Sequence, residues 1–160
     1  MMEAKNEYAA HRLLPESAQT ALETMFFAMP DTVSEDPRRP DGKLIAASLT
    51  FQGSPPGRFG LLISDPVART LATNFMGCDD PADIPSDKVA GVIEELANII
   101  CGAVLSEMES KVNFDLSAPK SIDVGADEPG PDFTVGSPST CRFEFPEGAI
   151  VFFLAFEEPV

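Results

Sequence analysis

Residues 87–110 read DKVAGVIEELANIICGAVLSEMES. Stepped at 100° per residue, Val89, Val92, Ile93, Leu96, Ile100, Ala103 and Val104 fall on one broad apolar stripe. That pattern predicts a long helix with one face in a core, with Ser86 or Asp87 as its N-cap. The opposite face holds Gly91, Glu94, Glu95, Asn98, Gly102 and Glu109. Three of these oppose helix formation. Asparagine competes for backbone hydrogen bonds, and an interior glycine costs about 1 kcal/mol against alanine. Glu95 and Asn98, three residues apart, present their polar groups side by side. Gly91 and Gly102 bracket them. The glycines either permit close packing within the chain or clear space for a partner's backbone. The polar face is either a solvated surface or a working site.

On the N-terminal side, residues 1–14 read as a loosely held lead-in or a short first helix. Pro15 or Ser17 starts a helix with Leu22, Met25, Phe26 and Met29 on its apolar side, and Pro30 ends it. Residues 34–42 are loop by composition. KLIAASLTFQG and RFGLLIS, joined by SPPG, read as a β-hairpin. Ser64 or Asp65 caps the next helix, with Pro66 at its first position and Gly77 as its C-cap. After the long helix come a strand in FDLSAPKSI, a Gly/Pro-rich loop over 125–131, and strands in TCRFEFPEG and AIVFFLAFEE, turning at Glu147-Gly148. The order is helix, hairpin, helix, then helix, strand, loop, hairpin. This predicts an α+β fold of antiparallel strands packed with about three helices, within a single domain over 1–160. Glu23 followed by Phe26 lies where Glu95 followed by Asn98 lies, so the halves read either as a degenerate internal repeat or as two helices sharing a common spacing.

The net charge of −15 comes from 26 acids against 11 bases. It argues against a nucleic-acid partner, which needs cations for its phosphates, and against an anionic membrane surface. Cys78, Cys101 and Cys141 are scattered and odd in number, and His11 is the one histidine. Neither a zinc site nor a disulfide framework is expected. No signal peptide and no run of transmembrane length is read, so the expected location is cytoplasmic. No phosphate-binding glycine loop, dinucleotide fingerprint or nucleophile elbow occurs. Any chemistry here would need neither a nucleophile nor a cofactor of its own.

The run EELANIICGAVLSEMESKVNFDLSAPKSI resembles the signature of the CheC/CheX/FliY chemotaxis phosphatases. That signature is Glu-x-x-Asn on a long helix followed about twenty residues later by a proline; Glu95, Asn98 and Pro119 occupy those places. The hairpin with its following helix, and the closing strands, are also similar, so the resemblance spans most of 16–157. One intact motif on a chain of this size is most similar to the CheX type, which implies a two-layer fold and a homodimer. The apolar run from Ala149 to Phe156 wants cover on both faces, which a dimer or a central position in a monomer's sheet would each provide. The family pattern often has Asp or Ser four residues before the Glu; this chain has Gly91.

The resemblance implies a substrate and a mechanism. The substrate is the aspartyl phosphate of a CheY-like response-regulator receiver domain, which brings its own Mg²⁺ and lysine. Asn98 would orient the attacking water, and Glu95 would pair with the receiver lysine. Gly91, Glu94, Gly102 and Pro119 would border the partner. The alternative is a non-catalytic domain of the same fold that binds a receiver or a flagellar or signalling component.

Overall fold

The computed structural model describes residues 2–53, 55–108 and 113–157. In chain order its elements are α1 (Met2–Met25), β1 (Thr32–Ser34), β2 (Leu44–Gln52), β3 (Gly57–Ser64), α2 (Asp65–Met76), a 3₁₀ turn (Pro81–Asp83), α3 (Ser86–Met108), β4 (Asp115–Leu116), β5 (Lys120–Val124), β6 (Ser139–Phe145) and β7 (Gly148–Phe156). The strands form one antiparallel sheet in the order β1-β6-β7-β3-β2, with β4 and β5 both on the outer edge of β2. The α+β reading holds, with three α-helices packed on the sheet.

Side-chain alternation along the strands decides what each face buries. Ile45, Ala47, Leu49 and Phe51 of β2, Phe59, Leu61 and Ile63 of β3, and Ile150, Phe152 and Leu154 of β7 join the core under the helices. Their neighbours Leu44, Ala46, Leu62, Val151 and Phe153 point to the other face. There they pack with Val124 and with Phe133, from the long connection between β5 and β6. The Phe133 ring lies so close over Gly60 that a Cβ there would come within 2.8 Å of it. β7 is therefore central, paired on both sides and buried on both faces by the chain itself. Its apolar run needs no second copy to cover it.

The N-terminal half departs from expectation in three places. First, α1 runs unbroken from Met2 through Pro15, so residues 2–14 are the first half of one helix. An interior proline costs a helix about 3 kcal/mol. Here Ala10, Leu13, Leu14, Ala18, Ala21 and Leu22 continue one buried stripe across it, and their burial offsets that cost. Second, the helix stops at Met25, before Pro30. Phe27 takes a left-handed φ of 52°, and the Ala28 N–H donates to the Leu22 carbonyl at 2.9 Å. Leu22 and Phe26 are buried as expected, but Met25 and Met29 are exposed. Third, Thr32–Ser34 forms a short edge strand on β6, with all three residues exposed and no alternation to announce it.

Other local signals read true. Gly77 closes α2 at a left-handed φ of 71°. Ser64 stands at the N-cap of α2, yet its hydroxyl does not cap. It reaches instead to Ala149, accepting from the N–H at 2.9 Å and donating to the carbonyl at 3.2 Å. The last hairpin turns over Pro146-Glu147, one residue before the expected Glu147-Gly148 step, with Phe145 opposite Gly148. FDLSAPKSI is split into β4 and β5, with Ser117-Ala118-Pro119 between them.

Candidate functional site

α3 is the hub of the helical layer. Val89, Val92, Ile93, Leu96, Ile100 and Val104 are buried along the expected stripe, and Ala97, Cys101 and Leu105 widen it. By length and composition this helix is apolar enough to cross a membrane, which its sequence was not expected to allow. It packs here against α1, α2 and the sheet as a core helix.

Its outward face carries the candidate site. Glu95 and Gly91 are exposed, and Asn98, Glu94 and Gly102 are half-buried. Glu109 lies outside the described residues. Leu96 and Ala97, fully buried, sit between Glu95 and Asn98 in sequence and fix the direction in which that face points. Among the described residues, neither the Asn98 carboxamide nor the Glu95 carboxylate has a hydrogen-bond or ion-pair partner. Both polar groups are held by a rigid helix and left available.

The glycines resolve one of the two readings open at the sequence level. A Cβ built on Gly91 or on Gly102 would meet nothing within 4 Å. Neither residue is small to make room for another part of the chain. The stripe from Gly91 past Glu95 and Asn98 to Gly102 is a shallow, open track along the helix surface.

Glu94 is differently placed. Its Oε2 accepts a hydrogen bond from the Ser121 hydroxyl at 2.5 Å, tying α3 to β5. Pro119, half-buried, lies two residues before Ser121 in the break between β4 and β5. The break is held by Ser117, whose N–H donates to the Thr50 carbonyl at 2.8 Å and whose hydroxyl accepts from the Thr50 N–H at 2.9 Å. The Pro119 segment is thus pinned to β2 on one side and, through Ser121, to the helix that carries Glu95 and Asn98. Ser121 was not singled out from sequence. A serine between Lys120 and Ile122 in a short edge strand carries no signal until the helix beside it is known.

Other chemistry is sparse. Among the described residues no three His, Cys, Asp or Glu side chains gather as a metal-ion set. His11 Nε2 is 2.7 Å from Glu35 Oε1, on an exposed surface. A groove of about 360 Å³ lies between α1 and α3, lined by Leu13, Ser17, Thr20, Met25, Ile99 and Ala103 among others. Cys101 and Cys141 are free and buried, and Cys78 is free and exposed.

Comparison with known proteins gives a consistent result. The structure is similar to the chemotaxis protein CheX from Vibrio vulnificus, with 17% identity, 91% of this chain and 95% of that chain covered, and a TM-score of 0.72. It is similar to a chain of the CheX–CheY–BeF₃–Mg²⁺ complex from Borrelia burgdorferi, with 18% identity, 92% and 97% covered, and a TM-score of 0.69. FliY from Thermotoga maritima aligns at 16% identity, with 99% and 84% covered and a TM-score of 0.56. At such identities these likenesses establish the fold. No curated protein sequence matches. Residues 45–127, over half of the chain and including Glu95, Asn98 and Pro119, match the family model described as chemotaxis phosphatase CheX. The chain belongs to the CheX family of chemotaxis phosphatases.

Proposed function

We propose that this protein accelerates hydrolysis of the aspartyl phosphate on a CheY-like receiver domain. The observation that carries the reading is the open face of α3: an available carboxylate and an available carboxamide one turn apart, flanked by two glycines with empty space above them. The Borrelia burgdorferi complex, in which a CheX is assembled with CheY, BeF₃ and Mg²⁺, supports a receiver as the partner.

The receiver supplies Mg²⁺ and a lysine, and holds the phosphoryl group. What this chain adds is placement. The Asn98 carboxamide both donates and accepts, so it can hold a water in line with the phosphorus. It carries no charge to repel the phosphoryl oxygens and no pKa to tune. The same task falls to the water-orienting glutamine of GTPases, and positioning of this kind is worth several kcal/mol of barrier. Glu95, one turn earlier, pairs with the receiver lysine and fixes where Asn98 lands. Through that single cation an acidic protein grips an acidic partner. The open track at Gly91 and Gly102 admits the partner's backbone, and Glu94 and Pro119 border it. The protein acts in the cytoplasm, without a metal of its own. A homodimer is proposed on the family likeness alone.

The test is phosphate release from a phosphorylated receiver. Asn98→Ala abolishes acceleration while the fold is kept. Glu95→Ala weakens the complex, and Glu95→Lys weakens it further by setting like charges together. Unchanged release by Asn98→Ala would end the mechanism. Receiver binding by the wild-type protein without any release would establish the non-catalytic interaction domain instead.

A further inference from the structure

Where the C-terminal ends of α1 and α2 meet, the surface is apolar. Met25, Phe27, Met29, Phe75 and Met76 are each at least 40% exposed. They form one patch. The buried Phe26 ring stacks on Phe75 with centroids 5.1 Å apart, and Asn74 Nδ2 donates to the Phe26 carbonyl at 2.9 Å. The last turn of α2 is thereby tied to the segment that follows α1. Phe27 stands out among the five. It is 73% exposed, and its φ of 52° is one that glycine or asparagine takes readily and an aromatic residue only at a cost. A phenylalanine there serves neither helix termination nor the core. None of these five residues lies on the polar face of α3.

Charge says what the patch would receive. The two segments that bear it, residues 23–31 and 73–80, contain Glu23, Asp31, Asp79 and Asp80 and no Lys or Arg. Asp31 follows Met29, and Asp79 and Asp80 follow Met76; all three are exposed. A second copy of this chain would bring like charges together. A methionine-rich surface adapts to varied apolar shapes, and a carboxylate rim selects a cationic one. Apolar faces of this kind receive the apolar side of an amphipathic helix. From this surface we infer that the α1–α2 patch docks a cationic amphipathic helical segment of another protein. The inference goes beyond the receiver reading and does not depend on it.

The probe is a fluorescent amphipathic helix of leucine and lysine, about five turns long, titrated into the full chain by anisotropy. Its counterpart with glutamate in place of lysine is the control. Phe27→Asn suits the left-handed position, so the fold is kept. Combined with Met29→Ser, it lowers affinity for the lysine peptide at least about tenfold. Asp79→Asn with Asp80→Asn lowers affinity and flattens its salt dependence. The glutamate peptide does not bind. Equal affinity of the wild-type protein and the Phe27→Asn/Met29→Ser variant overturns the inference. So does a dimer in sedimentation that Phe27→Asn dissociates, which would make a second copy the occupant. So too does loss of receiver phosphate release by Phe27→Asn, which would assign the patch to the receiver.

Discussion

The Ser121 hydroxyl donates to the Glu94 carboxylate at 2.5 Å, joining the outermost strand to the site helix one residue before Glu95. This bond sets where the Pro119 segment stands relative to Asn98. Ser121→Ala removes the donor and costs about 1 kcal/mol of stability. Its larger effect falls on the partner: KM for a phosphorylated receiver rises while kcat changes little, because Asn98, the water-orienting group proposed above, is untouched. Steady-state phosphate release with Ser121→Ala and Ser121→Thr separates the two parameters. Threonine restores KM if the hydroxyl is what matters.

Gly91 and Gly102 have open space beyond them. Gly91→Ala and Gly102→Ala each raise stability by about 1 kcal/mol, since the helix gains propensity without a clash. The larger Gly91→Leu leaves the fold intact and weakens receiver binding, because it fills the track a partner's backbone would use. Denaturant midpoints beside receiver titrations decide the matter. A Gly91→Leu protein that binds as tightly as wild type would return the glycines to an ordinary solvated face.

Burial raises the Cys101 thiol from 9.0 to about 12; burial, reinforced by Glu35, does the same for Cys141. In the native protein a thiol reagent modifies Cys78 quickly, and the other two only after unfolding. The sign of the pH effect follows from linkage. The folded pKa lies above the unfolded one, so the stability these thiols contribute is complete below about pH 9 and is lost as pH rises toward about 12. The Cys101→Ala/Cys141→Ala protein shows a shallower alkaline decline in melting temperature than wild type.

Phe133 closes the sheet face away from the helices, over Leu44, Leu62, Val151 and Phe153. Phe133→Ala costs about 1–2 kcal/mol, less than a fully buried Phe→Ala because the ring is only half-buried. It also bares a contiguous apolar surface, so the variant self-associates at concentrations where the wild type does not change state. Sedimentation of the two proteins over a concentration series checks this.

Where local chemistry decided the structure, the sequence was readable. Gly77 at a helix end, the hairpin of β2 and β3, and the apolar stripe of α3 each follow from turn propensity or side-chain period. Where distant parts decide, it was not. Pro15 reads as a helix start, but the buried stripe from Ala10 to Leu22 carries the helix through it. Phe27 carries no propensity for a left-handed turn. Phe133 lies just past the Gly/Pro-rich loop read over 125–131 and carries no signal of its own, yet its half-buried ring packs on the sheet once Gly60 lies beneath it. At the site, periodicity alone put Glu95 and Asn98 on one outward face. Pro119 was recognisable only through the family resemblance, and Ser121 only once β5 was seen beside α3.

Because α3 is buried along its whole inner side, Glu95 and Asn98 ride on an element that cannot open without exposing the core. Leu96, Ala97 and Ile100 have no solvent exposure, so their amides are expected among the slowest to exchange with solvent. The backbone positions of the two polar residues therefore keep a fixed spacing in the free protein. A partner docking at this face, as proposed, would meet a backbone template already set, and the ordering left to the encounter is that of the two side chains and of the partner itself.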